Sequence, residues 1–152
     1  MLHIDTVLSL YPDDAARLLL LSQAMAQTQA DLTSLRDAIN TGNRKAALDH
    51  THKAKGTASF LGADKQALQH FDQLTQALKN ADGKQSDTTT HRHPAGQPHH
   101  CEPTNHPALL APMPATVRHS FIAVESILQD LEVSIQTRIK ALKNKQTRSR
   151  NA

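Results

Sequence analysis

Apolar residues recur along much of the chain at the three-and-four spacing of an amphipathic helix. The first long stripe consists of Leu18, Leu21, Met25, Leu32, Leu35 and Ile39, with Thr28 at its one polar position. Pro12 suits the first position of a helix, and the turn sequence at residues 40–43 ends the pattern. We therefore predict a long helix that starts at Pro12 and ends before this turn.

Three further long helices follow from the same spacing. A second is expected over residues 44–61, where Gly62 stops it, and a third ends between Asn80 and Gly83. The third carries Ala67, Phe71, Leu74 and Leu78, and the last carries Val117, Phe121, Val124, Leu128, Leu131, Ile135, Ile139 and Leu142. With one or two helical turns within residues 4–11, the prediction is an all-α fold: an antiparallel up-down four-helix bundle with a short N-terminal helix.

The helical pattern is absent from residues 81–114. This stretch holds six of the seven prolines and no apolar stripe that would be buried. It predicts a long disordered loop between the third and fourth long helices. We assign residues 1–145 to one domain with this insertion, and residues 146–152 to a basic disordered tail.

Composition and charge narrow the class of protein. Aromatic residues make up 3% of the chain, and its single cysteine, Cys101, excludes an internal disulfide. No apolar run is long enough to span a bilayer and no secretory signal is present, so we expect a cytoplasmic protein without membrane contact. The net charge of +3 reflects six basic residues after Glu132. No aromatic residues accompany them for base stacking, so nucleic acid is not an expected partner.

The second predicted helix carries the candidate chemistry. His52, Gly56, Ser59 and Phe60 share one face, and Lys55 lies beside His52 at i+3. The opposite face, formed by Ala47, Thr51, Ala54, Ala58 and Leu61, is expected to pack inward, which directs His52 to solvent or a partner. A neutral imidazole is a nucleophile, and Lys55 places positive charge beside it. A glycine inside a helix costs about 1 kcal/mol relative to alanine. Gly56 is explicable if a partner must approach the backbone.

These residues resemble the signature of histidine-containing phosphotransfer (HPt) domains. That family typically has His, then Lys three on, Gly four on, a small residue six on and an apolar-Gly pair nine and ten on. Here these are His52, Lys55, Gly56, Ala58, Leu61 and Gly62. Two places depart from the family, because His50 and Ala54 stand where an apolar residue and leucine are usual. The resemblance implies that His52 accepts a phosphoryl group, Lys55 steadies it and Gly56 makes room for a receiver domain.

The resemblance also implies a role in bacterial-type two-component signalling. The chain would relay a phosphoryl group between receiver-domain aspartates of a hybrid sensor kinase or response regulator, as a monomer without kinase or ATPase activity. It would do so either as a free-standing protein or as the cytoplasmic tail of a membrane sensor kinase. No cofactor is expected, since magnesium belongs to the receiver. Leu48, Ser59 and Phe60 are the expected docking residues. Gln69 and Gln73 are candidates for orienting the His52 ring, and His50 is expected to be partly buried and hydrogen-bonded.

Two alternatives stay open. The chain can be a helical docking module that binds a receiver or kinase without being phosphorylated. It can also be a metal-binding protein, because potential ligands crowd the predicted loop: His91, His93, His99, His100, Cys101 and His106. Their spacing matches no closed structural zinc site, so we predict no metal centre there.

Overall fold

A computed structural model describes residues 2–83 and 113–151, and within these ranges the protein is built from five helices. They are α1 (Ile4–Leu8), α2 (Asp14–Asn40), α3 (Arg44–Phe60), α4 (Lys65–Gly83) and α5 (Ala115–Arg150). The prediction of an all-helical protein is confirmed for the described residues. Most of the predicted loop lies outside them.

The four long helices pack side by side around one core. α2 contacts α3 and α5, and α4 contacts the same two helices, so that α3 and α5 lie diagonally opposite. α3 and α4 are antiparallel, because Arg44 at the start of α3 donates from Nη1 to the carbonyl of Ala81 near the end of α4 (2.9 Å). The largest side chains that are fully buried in this core are Phe71, Ile4, Leu21, Leu35, Leu61, Leu74, Leu78, Leu128, Leu131, Ile135, Val117 and Val124.

Glycine turns join α2 to α3 and α3 to α4. Gly42 and Gly62 have φ values of 71° and 84°, the left-handed region that favours glycine. After α3, the Gly62 amide donates to the Ser59 carbonyl (3.1 Å) and the Ala63 amide to the Ala58 carbonyl (2.9 Å). This is the paired pattern of a Schellman motif, which satisfies the last carbonyls of a helix. The next helix can therefore start after four residues.

The N-terminal segment lies across the α3–α4 turn. The His3 amide donates to the Gly62 carbonyl (2.8 Å), and Leu2 forms an isolated antiparallel bridge with Ala63. Arg138 on α5 holds Asp5 through two hydrogen bonds, from Nε to Oδ1 (2.8 Å) and from Nη2 to Oδ2 (2.7 Å). These contacts fix α1 over one end of the helix core, where Ile4 is buried.

The start of α2 differs from the prediction. The helix begins at Asp14 rather than Pro12, because the side chain of Asp13 accepts a hydrogen bond from the Ala16 amide (2.7 Å) and so acts as the N-cap. The signal for this start was present in the sequence, since Asp is among the preferred N-cap residues.

The third long helix was predicted to end between Asn80 and Gly83, and α4 does end at Gly83, so residues 81–83 belong to α4 and not to the predicted insertion. The Arg44 contact with the Ala81 carbonyl satisfies part of that helix end. The predicted boundary of the C-terminal tail was wrong. Residues 146–150 continue α5 instead of forming a disordered tail. No Pro or Gly interrupts them, and Arg148 and Arg150 in the last turn complement the negative end of the helix dipole.

The helices of residues 2–83 and 113–151 do not meet the length and hydrophobicity that a bilayer requires. Each of them is too short or too polar to cross a membrane.

The two glycines of α3 and its turn give a matched stability test. A Cβ on Gly62 would lie 2.8 Å from the His3 carbonyl carbon, which is a steric clash. The left-handed backbone conformation at this position adds a cost of about 1–2 kcal/mol for any residue other than glycine. We expect Gly62→Ala to lower the free energy of unfolding by at least that amount in urea denaturation. Gly56→Ala, where a Cβ meets nothing within 4 Å, should instead raise it by up to about 1 kcal/mol. Equal effects at both positions would contradict this account.

The Arg138–Asp5 pair predicts a pH-dependent contribution to stability. Its hydrogen bond from Arg138 lowers the pKa of Asp5. A depressed folded-state pKa contributes stability above the unfolded pKa, and this is lost as the pH falls through the folded value. Asp5→Asn should thus lower the melting temperature at pH 7, by the equivalent of less than about 1 kcal/mol for so exposed a pair. The difference between the two proteins should shrink as the pH falls below 3.8, the ordinary value from which the pKa of Asp5 is lowered, and a difference that grows on acidification would refute the assignment.

Candidate functional site

The rotation of α3 about its axis sets which of its residues face solvent. Ala47, Thr51, Ala54 and Ala58 are buried on the inner face, as predicted. His52 lies on the opposite side and is exposed. Within the described ranges no hydrogen bond or ion pair involves its ring, so both ring nitrogens are accessible to a reaction partner.

Gly56 lies one turn after His52 on the same exposed face. A Cβ built at this position meets no other atom within 4 Å. Since φ is not positive there and no neighbour needs the space, the described structure gives no internal reason for a glycine. The backbone beside His52 is consequently open to a second molecule.

Lys55 lies between His52 and α4. Its ammonium is 2.5 Å from Oδ1 of Asp72, and the side chains are 34% and 61% exposed. Lys55 follows His52 by three residues on α3, and its charge is paired across the α3–α4 interface. Sequence reasoning did not single out Asp72, because only the register of two antiparallel helices places it opposite Lys55.

A buried carboxylate supports α3 from the α2 side. Asp31 is 3% exposed and accepts hydrogen bonds from Gln27 Nε2 (2.7 Å) and Thr57 Oγ1 (2.8 Å). A buried charge without partners is costly, and here each carboxylate oxygen has one donor. Thr57 directly follows Gly56, so this contact fixes the helix behind the open backbone. Asp31 lies beside the apolar stripe of α2, next to Leu32, and gave no sequence signal as a buried residue.

Among the described residues, neither of the predicted ring-orienting residues, Gln69 and Gln73, forms a hydrogen bond with His52. Oε1 of Gln73 lies 3.2 Å from Nδ1 of His70, and Gln69 is an exposed residue of α4. His50 is partly buried, as expected, but it makes no hydrogen bond with any described residue, so that half of its prediction was wrong. The Gln73 side chain therefore pairs with His70 on its own helix, α4, and not with His52 on α3.

The predicted docking residues flank His52 along α3. Ser59 and Phe60 are exposed, and the Phe60 side chain retains 54% of its accessible surface although it is large and apolar. Leu48 is half-buried against the core. We define the His52 face as His52, Gly56, Ser59 and Phe60. It combines an exposed imidazole, an open backbone and a large exposed apolar side chain.

Charge on α3 favours an anionic partner. The helix carries four basic residues, Arg44, Lys45, Lys53 and Lys55, and one acidic residue, Asp49. Lys53 and Lys45 are exposed. Positive charge near a nucleophile favours the approach of phosphoryl oxygens and of an acidic protein surface.

The candidate metal ligands are not described. His91, His93, His99, His100, Cys101 and His106 all fall within residues 84–112, outside the described ranges. In residues 2–83 and 113–151, no three His, Cys, Asp or Glu side chains are grouped so that they could hold a metal ion.

Comparisons of the chain with protein-family models, curated proteins and solved structures gave no match.

Proposed function

We propose that this protein is a histidine phosphotransfer protein that relays a phosphoryl group between receiver-domain aspartates through His52. In this interpretation the four long helices are the antiparallel up-down bundle of an HPt domain. The observation that carries the proposal is the open backbone at Gly56, one turn from the exposed His52. A destabilising glycine without an internal role is explained when another protein must approach the nucleophile closely.

The residues of the His52 face fit the transfer reaction. The unprotonated ring nitrogen of His52 would attack the phosphorus of an aspartyl phosphate on the receiver. An N–P bond forms, the acyl P–O bond breaks, and the receiver carboxylate leaves with the electron pair. The proton on the other ring nitrogen stays there or passes to water. The reverse reaction delivers the phosphoryl group to a second receiver.

The proposal gives the neighbouring residues the remaining roles. Lys55 supplies positive charge for the phosphoryl oxygens, and Phe60, Ser59 and Leu48 form the docking contacts. The acidic, magnesium-bearing half of the site belongs to the receiver of a hybrid kinase or response regulator. The chain then acts as a monomeric cytoplasmic intermediate and not as an enzyme with its own kinase or ATPase activity.

Phosphoryl transfer to His52 is the direct test. Purified receiver domains labelled with radioactive acetyl phosphate are mixed with the full chain. We expect acid-labile label to appear on the native protein and to be absent from His52→Gln, because glutamine has no nucleophilic ring nitrogen. The measurement is label per chain after separation, with circular dichroism to show that both proteins are folded.

His50→Gln is the matched control for this experiment. It removes an imidazole two residues away on the same helix, at a partly buried position, and should retain the label. Label that persists in His52→Gln, or no label from several receivers on the folded native chain, would contradict the relay and favour a docking module that is never phosphorylated.

The open backbone at Gly56 gives an independent test of docking. Gly56→Gln should leave the fold intact, since the position is exposed and glutamine favours helix. It should slow transfer from the receiver about tenfold, the effect of roughly 1.4 kcal/mol of lost docking energy. Ser126→Gln adds the same side chain at an exposed position of α5 and should not slow transfer. Equal rates of phosphoryl transfer to the Gly56→Gln and Ser126→Gln variants would contradict a docking role for Gly56.

A further inference from the structure

The Lys55–Asp72 ion pair joins the candidate site to a helix that the transfer reaction does not otherwise use. Lys55 is on α3, one turn after His52, and Asp72 is on α4, at a separation of 2.5 Å between Nζ and Oδ1. Both side chains are partly exposed. In the unphosphorylated protein the ammonium is therefore held by α4 at the edge of the His52 face.

A phosphoryl group on His52 would compete for the same ammonium. It carries up to two negative charges and three acceptor oxygens, and residues at i and i+3 of a helix have Cβ atoms about 5–6 Å apart. The flexible lysine stem can reach either acceptor. Asp72 adds a nearby negative charge that disfavours the phosphorylated state.

We propose that Asp72 is a positioning residue that holds Lys55 in the unphosphorylated protein and must release it to the phosphoryl group on His52. This inference rests on the proposed relay function. Asp72 thereby limits how far the phosphoryl group accumulates on this chain and favours its onward transfer. Asp72 itself does not touch the reacting atoms.

The transfer equilibrium with a single phosphorylated receiver domain tests the role of Asp72. The receiver is the one that labels the native chain, and the ratio of label on the chain to label on the receiver is measured at equilibrium. Asp72→Asn should raise this ratio about two- to fivefold, as expected for loss of a competing exposed ion pair. Lys55→Met should lower the ratio, since the phosphoryl group loses its cation.

A double-mutant cycle distinguishes positioning from simple repulsion. With Lys55→Met already present, Asp72→Asn should have a clearly smaller effect, because no ammonium remains to be released. Asp49→Asn is the matched control: it removes an exposed carboxylate at i−3 from His52, and its effect should be the same with Lys55 or Met at position 55. Circular dichroism melting of each variant accompanies the cycle.

The outcomes separate the two proposals. If label reaches His52 but Asp72→Asn leaves the ratio unchanged, or changes it equally with and without Lys55, the positioning role is overturned and the relay stands. If no receiver labels the folded native chain, the relay is overturned and the role of Asp72 with it.

Discussion

The packing of the inner face of α3 is the constraint on which the candidate site depends. Three alanines and one threonine on that face are buried, and Thr51 satisfies its hydroxyl by donating to the Ala47 carbonyl (2.6 Å). Side chains this small let α3 lie close to the core. Any other rotation of the helix would bury lysines at a large electrostatic cost. His52 and Gly56 face outward because only the opposite side of α3 can pack against the core.

Much of the fold was predictable because the other long helices also carry one face that must be buried. The stripes of α4 and α5 gave the buried residues directly: Phe71, Leu74 and Leu78 in one, Val117 to Ile139 in the other. Gly42 and Gly62 marked the turns because each requires a positive φ. Helix ends were less certain. Whether Pro12 or Asp13 starts α2 depends on a single capping hydrogen bond, and the continuation of α5 to Arg150 depends on the absence of a breaking residue.

The candidate site was predictable only within one helix. Residues at fixed spacing on α3, such as His52, Lys55 and Gly56, have a geometry that any α-helix dictates. Contacts between helices depend on register, which no local pattern encodes. For that reason the Lys55–Asp72 pair and the burial of Asp31 against Thr57 emerged only from the structure. The same limit applied to Gln73, whose hydrogen bond is with His70 on its own helix.

The short glycine turns have a consequence for how the chain reaches this structure. α2, α3 and α4 follow one another through turns of three and four residues, so their mutual contacts close small loops. The contacts of α5 with α2 join distant parts of the sequence; Arg36 and Glu125, for example, are 89 residues apart. Because local contacts form faster than distant ones, we expect the first three long helices to assemble early and α5 to complete the core late. His52 would then occupy its final orientation on α3 before the last helix closes the opposite side.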